Sequence, residues 1–464
     1  MRAALVTRGA LAGAGALLAG CVAVAPDGGF ATVADAARTR IGGGAEARLV
    51  RTPDDERAVA DTVRALLAQP LGQDEAVRIA LLNHPGLQAS YWDAGIAQAD
   101  LAQAARLQNP GFGFKRTAGG GAVEIERSLS FNLVQALTLP LARRLESARF
   151  EAARLAVAAA IDKHAFETRS AWVEAVAARQ GLDYARRVNA AADASAELTG
   201  RMARSGNASA LDRAREQLFH AEAAAGVMRA EQQLVASRER LARLLGLWGD
   251  DLGFTLPERL PDLPAAPLQL DQAERIALER RIDVQAARQD AAGTAASLGL
   301  TRSTRFINVL ELGLERKSET GEPRARGYEL SLELPLFDWG GARSARAEAV
   351  YMQSLRRVAE TAVNARSEAR ERYLAYRASW DLARHYREHV LPLRKKISDE
   401  VLLRYNGMLA SPFELLLDAR EQAGAVNAAI EAQKDFWLQD AALQLALGGP
   451  APQAASTEHK EHAP

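Results

Sequence analysis

The sequence is short of several things. It holds one cysteine in 464 residues, Cys21, so it can form neither an internal disulfide nor a multi-thiolate metal site. Its 58 Lys and Arg balance 58 Asp and Glu. A chain with no net charge has no basic face to neutralise phosphates, which argues against a nucleic-acid partner. Past the N-terminus no run reaches about 18 uncharged apolar residues, so no membrane-crossing helix is expected. Nucleophile elbow, phosphate loop, dinucleotide fingerprint and zinc motif are all missing. Of the seven histidines, His385 and His389 are four apart and read first as a solvated pair on one helix face. His459 and His462 in the tail have a spacing that could hold a transition-metal ion. No enzyme and no cofactor are expected.

The N-terminus carries Arg2 and Arg8, an uncharged run from Gly9, and small residues up to Gly20. That describes a secretory signal over residues 1–20. Leu18-Ala19-Gly20-Cys21 resembles the bacterial lipobox. The resemblance implies cleavage before Cys21 and acylation there, palmitate included; an ordinary signal with an incidental cysteine is the alternative. Val22, where an aspartate would favour the inner membrane, favours the outer one.

A duplication organises the rest. Asp74-Glu75-Ala76-Val77-Arg78-Ile79-Ala80-Leu81 matches Asp271-Gln272-Ala273-Glu274-Arg275-Ile276-Ala277-Leu278. Leu87-Gln88-Ala89 keeps the same offset to Val284-Gln285-Ala286, and Ser147-Ala148-Arg149 keeps it to Ser344-Ala345-Arg346. A constant offset at separated places marks a repeat. The expected layout is an extended leader over 21–72 with a short helix near Asp55, a first repeat over 73–247 and a Pro-rich crossover over 248–269. A second repeat follows over 270–447, then a disordered tail over 448–464.

Each repeat is expected to open with one helix, 73–107 and 270–303, N-capped by Asp74 and Asp271. Each then changes to period two, giving strands within 111–133 and 307–335. Val123, Ile125, Leu129 and Phe131 alternate with Glu124, Glu126, Ser128 and Ser130. Leu310, Leu312 and Leu314 alternate with Glu311, Gly313 and Glu315, and Tyr328, Leu330 and Leu332 with Glu329, Ser331 and Glu333. Loops are expected over 116–122 and 318–326; Arg127 breaks the apolar face without explanation. Four such strands cannot close a barrel, and an open sheet leaves two free edges. Three chains of four strands would close. The glutamates Glu124, Glu126, Glu311, Glu315, Glu329 and Glu333 then line the lumen, either as a cation-favouring ring or as plain hydrated lining.

A long helix follows each strand pair. From Leu145 an apolar seam at three-four spacing continues to Met202, interrupted by Asp162 and Ser195. That is a coiled-coil pattern of about sixty residues, or about 90 Å of helix. It breaks at Ser205-Gly206-Asn207 and returns to Leu247. The second copy breaks between Tyr405 and Pro412, with Ser411 as cap of the returning helix, and Pro392 should kink the descending one. The alanine-rich seams suit either a tube of close-packed helices or an ordinary bundle core.

Leu334-Pro335-Leu336-Phe337-Asp338-Trp339-Gly340-Gly341 at the strand-to-helix junction, Arg404-Tyr405 leading to Leu416-Leu417-Asp418-Ala419-Arg420, the duplication and Cys21 together resemble the TolC-like outer-membrane factor family, lipoprotein branch. The resemblance implies a mainly α fold with a transmembrane β-barrel. It implies a homotrimer whose twelve-stranded barrel sits on an α-helical periplasmic tunnel, docked on a periplasmic adaptor and an inner-membrane pump. Such a protein is a passive efflux duct in the outer membrane. By the same resemblance, Gly206, Arg404, Tyr405, Gly407 and Ser411 mark the periplasmic tip and adaptor contact, with Asp418 and then Glu414 as gate carboxylates. The family usually places a glycine three residues after the tip tyrosine; here Gly407 follows Tyr405 by two. A coiled-coil structural lipoprotein explains the helices and Cys21 but not the strand pairs.

Overall fold

A computed structural model of the chain describes residues 25–304, 309–333 and 336–451. Cys21, the junction residues Leu334 and Pro335, the strand start at Ile307, and the tail histidines lie outside them. The described residues form two compact units. One draws on residues 91–157 and 282–362 with the N-terminal segment; the other draws on residues 34–90, 158–281 and 363 onward.

The leader is more ordered than its composition suggests. Helix α1 spans Phe30–Ile41 and α2 spans Pro53–Leu67. The first has a faint signal, since Val33, Ala37 and Ile41 are buried at intervals of four. The second starts as expected: Thr52 caps it, Asp55 completes the capping box and Pro53 takes the first turn.

Neither repeat opens with one helix. In the first, α3 (Gln73–Asn83) and α4 (Pro85–Ala104) are separated at His84, which is extended at φ −71, ψ 117. A residue before proline is pushed out of the helical region, and Pro85 does this to His84. The second copy breaks the same way between α7 (Ala273–Arg280) and α8 (Ile282–Thr304). There Arg281 is extended at φ −66, ψ 131 without a following proline. The expected caps are also displaced: Gly72 and Gln272 hold the N-cap positions, not Asp74 and Asp271.

The first unit contains a four-stranded antiparallel sheet in the order β1-β2-β3-β4, with β1 (Gly111–Gly119), β2 (Ala122–Asn132), β3 (Leu310–Glu319) and β4 (Ala325–Leu332). The strands run further into the expected loops than periodicity indicates. Gly119 pairs with Ala122, leaving a two-residue turn in which Gly120 and Gly121 both have positive φ, 58 and 84. Such a turn matches the twist of a hairpin and all but requires glycine. Helix α5 (Leu133–Arg204) follows β2 without a loop. Leu133 is therefore helical, because the Asn132 side chain accepts from the Gln135 amide at 3.0 Å and caps it.

The second unit packs two apolar clusters. In one, Val63 of α2, Ile79 of α3, Trp172 and Val176 of α5, and Leu241 and Leu245 of α6 (Ala210–Leu245) meet Phe254 and Leu260 of the crossover. Trp172 donates from its indole to the Leu71 carbonyl at 2.7 Å. In the other, Tyr376 and Trp380 of α9 (Gly341–His385) pack with Phe436, Leu443 and Leu447 of α11 (Pro412–Leu447) and with Leu263 and Leu270. The extended crossover is thus clamped at both ends. Before α10 (Leu391–Asn406) lies a single π turn, Tyr386–Val390. The kink expected at Pro392 takes this form: the widened turn admits a residue that lacks an N–H and crowds the preceding carbonyl.

Candidate functional site

The helical hairpins of the second unit end in two turns of the same design. In the first, Asn207 N bonds Met202 O at 2.8 Å around Gly206 at φ +79. Ser209, three residues on, caps α6 in a capping box with Asp212. In the second, Leu409 N bonds Arg404 O at 2.7 Å around Met408 at φ +59. Ser411, again three residues on, caps α11 through the Glu414 amide at 3.2 Å. Both close a helix through a left-handed residue. Gly407 does not play that part, since its φ is −82. The left-handed residue falls three after Tyr405, where glycine is usual, and here a methionine occupies it. Met408 and Leu409 are 93% and 75% exposed, which leaves an apolar knob on the turn. Arg404 is exposed and Tyr405 half-buried.

About two helical turns in from these caps sit two polar clusters. Glu216 of α6 is 4% exposed. Its carboxylate accepts from Arg420 Nη2 of α11 at 2.8 Å and from Ser195 Oγ of α5 at 2.6 Å. The Arg420 guanidinium also lies 4.2 Å over the Phe219 ring. One buried carboxylate thus ties three helices, and the serine that interrupts the α5 seam is one of its partners. Asp418 is buried as well. It accepts from Ser398 Oγ of α10, which also lies 3.2 Å from Gln422. Asp418 therefore faces its own hairpin, whereas Glu414 is exposed. Of the two expected gate carboxylates, Glu414 is the one free to meet a ligand or a neighbouring chain. Asp162, the other interruption of the seam, pairs with Arg40 at 2.6 Å. Burial pushes its carboxyl above the ordinary range, with Arg40 pulling the other way.

One half-buried and one buried imidazole belong to the same unit. His84 and His164 rings are 4.3 Å apart. His84 Nδ1 accepts from the Leu87 amide at 3.1 Å, and His164 Nε2 donates to the Leu244 carbonyl at 2.9 Å. Burial lowers both pKa values; for His164 the neighbouring His84 adds to the effect. His385 and His389 are exposed, their rings 5.2 Å apart. Among the described residues no three metal-binding side chains come together.

The sheet of the first unit has two unlike faces, because directly opposed residues share a face and neighbours along a strand alternate. One face is apolar near the helix junctions: Phe112, Leu129, Leu314 and Tyr328 form a row, and Phe131, Leu312 and Leu330 form the next. Phe112, Tyr328 and Leu330 are 70%, 80% and 59% exposed, so a broad apolar surface is uncovered. The other face carries Glu124, Glu126, Glu311, Glu315 and Glu329, as alternation requires. Glu333, next in that parity, lies past the end of β4 and bonds through its amide to Val309 O at 3.2 Å. Two lysines of the same parity temper the acidic row: Lys317 meets Glu124 at 2.8 Å and Lys115 meets Glu126 at 3.8 Å. Both lie within β1 and β3, next to the expected loops over 116–122 and 318–326. At the junction Phe337 and Trp339 are 100% and 63% exposed.

A small two-faced antiparallel sheet feeding long helical hairpins, each turned back by a capped left-handed turn, defines the fold of the TolC-like outer-membrane channels. Solved structures with this fold include CusC, 16% identical with a TM-score of 0.69 over 84% of this chain and 92% of that one. VceC from Vibrio cholerae is 18% identical, TM-score 0.69, over 81% and 96%. The open-state MtrE channel of Neisseria gonorrhoeae is 19% identical, TM-score 0.68, over 81% and 88%. Among curated proteins, Protein CyaE of Bordetella pertussis is 28% identical over 353 residues, 68% of this chain and 73% of that protein. No protein-family model matches the sequence.

Proposed function

We propose that this chain is the outer-membrane channel of a tripartite efflux system, a passive duct from periplasm to exterior that catalyses no reaction. The observation that carries this reading is the sheet: one exposed apolar face, one charged face, and edge strands β1 and β4 that pair with nothing further among the described residues. Exposed edges and an exposed apolar face are costly in water and natural in a closed barrel in lipid. Three copies give twelve strands, an even number within the bacterial range. Apolar rows then face acyl chains, glutamates and lysines face the lumen, and Phe337 and Trp339 stand at the inner membrane interface where aromatic girdles form. Acylation at Cys21 adds a lipid anchor.

The hairpin turns are the proposed periplasmic tip. Gly206, Arg404, Tyr405, Gly407 and Ser411 build the turns, and the apolar knob of Met408 and Leu409 offers a periplasmic adaptor its contact, with an inner-membrane pump beyond. Glu414 supplies charge at the gate; Asp418 and the Glu216–Arg420 pair hold the helices closed. An adaptor opens such a gate only by binding the open arrangement more tightly than the closed one.

Native mass spectrometry of the detergent-extracted protein, followed by planar-bilayer conductance, tests the reading. Three chains that each begin at acylated Cys21, with conductance, are the expected result. A lipidated monomer without conductance would overturn it in favour of a structural spacer.

A further inference from the structure

Toward the hairpin loops the apolar rows of the sheet give way to a row of like charge. Phe114, Arg127, Arg316 and Arg326 are directly opposed across all four strands. Arg116 lies on the same face in the next row toward the hairpin loops. Strand spacing sets neighbouring members of the row about 5 Å apart. Like charges directly opposed destabilise a sheet, so the row calls for an anion. None is supplied among the described residues. Every Asp and Glu of the four strands has the other parity, and among the described residues none of these arginines makes an ion pair. Arg127 lies 6.0 Å from the Phe114 ring. The contrast with the opposite face, where both lysines are paired, is direct.

We infer that this row binds the phosphates of an anionic lipid in the outer leaflet. The inference rests on the barrel reading above. Charge complementarity calls for an anion, and guanidinium matches phosphate oxygens bidentately. Continuity with the apolar rows identifies the kind of anion. From the arginine row the same face runs on through Tyr328 and Leu330 to Leu332, about 20 Å along the strand. A ligand with phosphates joined to acyl chains covers both parts, whereas a free anion or an acidic protein covers only the first. Position agrees. Arginine on the lipid side of a barrel is costly at the bilayer midplane and nearly free at its edge, and this row marks the hairpin-loop edge of the apolar band.

The test uses full-length protein in detergent, titrated with diphosphoryl lipid A and with dephosphorylated lipid A, and read by native mass spectrometry. Arg316→Gln/Arg326→Gln is compared with Lys115→Gln/Lys317→Gln, which removes the same charge from the other face. Preference for the phosphorylated lipid should fall about 25-fold in the arginine variant, at about fivefold per residue near an anionic surface. The lysine variant should keep it. Equal binding of the two lipids, equal loss in the two variants, or inorganic phosphate binding as tightly as the lipid would each overturn the inference. Conductance in a zwitterionic bilayer reports on the channel reading separately. Conductance without phosphate-dependent lipid binding defeats this inference alone; lipid binding without conductance defeats the channel reading alone.

Discussion

Replacing Arg420 with methionine removes the charged partner of a buried carboxylate and the guanidinium that lies 4.2 Å over the Phe219 ring. Glu216 keeps the Ser195 hydroxyl at 2.6 Å but loses the cation 2.8 Å away. Breaking a buried ion pair by deleting one member costs about 3–5 kcal/mol. Here the Arg420 side chain is 31% exposed, so solvent screens part of the charge, and Ser195 still satisfies one carboxylate oxygen. The lower end, about 2–3 kcal/mol, is therefore expected. If the contact exists only while the hairpins are closed, about 2 kcal/mol shifts the open–closed equilibrium about thirtyfold. Chemical denaturation in detergent should show the destabilisation, and single-channel recording should show longer openings. A double-mutant cycle isolates the pair: Glu216→Gln should cost much less in the Arg420→Met background than alone, with a coupling of about 2 kcal/mol. Additive losses, or unchanged openings in Arg420→Met, would refute the latch and leave Glu216 and Arg420 as ordinary packing residues.

Met408 at φ +59 carries left-handed strain of about 1–2 kcal/mol, so Met408→Gly should raise local stability by about 1 kcal/mol after glycine's entropy is subtracted. Hydrogen exchange of the 406–409 amides reads this, and faster exchange would contradict it. Glu414→Gln should reduce cation preference in bilayer reversal potentials. Asp418→Ala should leave selectivity unchanged and cost about 1–3 kcal/mol in denaturation through the orphaned Ser398 contact. Because burial depresses the pKa of His84 and His164, the stability they contribute is fully present above the unfolded value of about 6.5 and is lost as pH falls through the lower folded values. His164→Gln should flatten the acid side of the denaturation profile below about pH 6.5, and an unaltered slope there would count against the pair.

How much of this was legible in the sequence depends on how far each feature reaches along the chain. The alternating strands and the long seams are local periodicities, and they lie in β1 to β4, α5 and α9. Boundaries failed where one side chain decides. Asn132 caps α5 and ends β2 at once, and His84 breaks a helix because Pro85 follows it. The break at Arg281 has no such marker, so nothing in the sequence of the second copy signals it. The missed α1 carries four buried residues in twelve, Phe30, Val33, Ala37 and Ile41, and the alanines and arginines between them blur the pattern.

The site was less legible, because its parts meet only through folding. Asp162, Ser195 and Arg127 were each visible as breaks in a pattern. Their partners Arg40 and Glu216, and the companions Arg316 and Arg326, stand far away in sequence. A break in an amphipathic pattern is therefore a usable signal: a polar residue on a buried or lipid-facing seam implies a partner that periodicity cannot name. The tip gives a second lesson. Counting from Tyr405 to the nearest glycine points to Gly407, but counting back three from the capping serine points to Gly206 in one turn and to Met408 in the other. The cap fixes the register of the turn because its hydroxyl must meet the first amides of the returning helix. The glycine is a preference of the left-handed position, not its cause, and so a methionine can hold that position when the cap on the far side is intact.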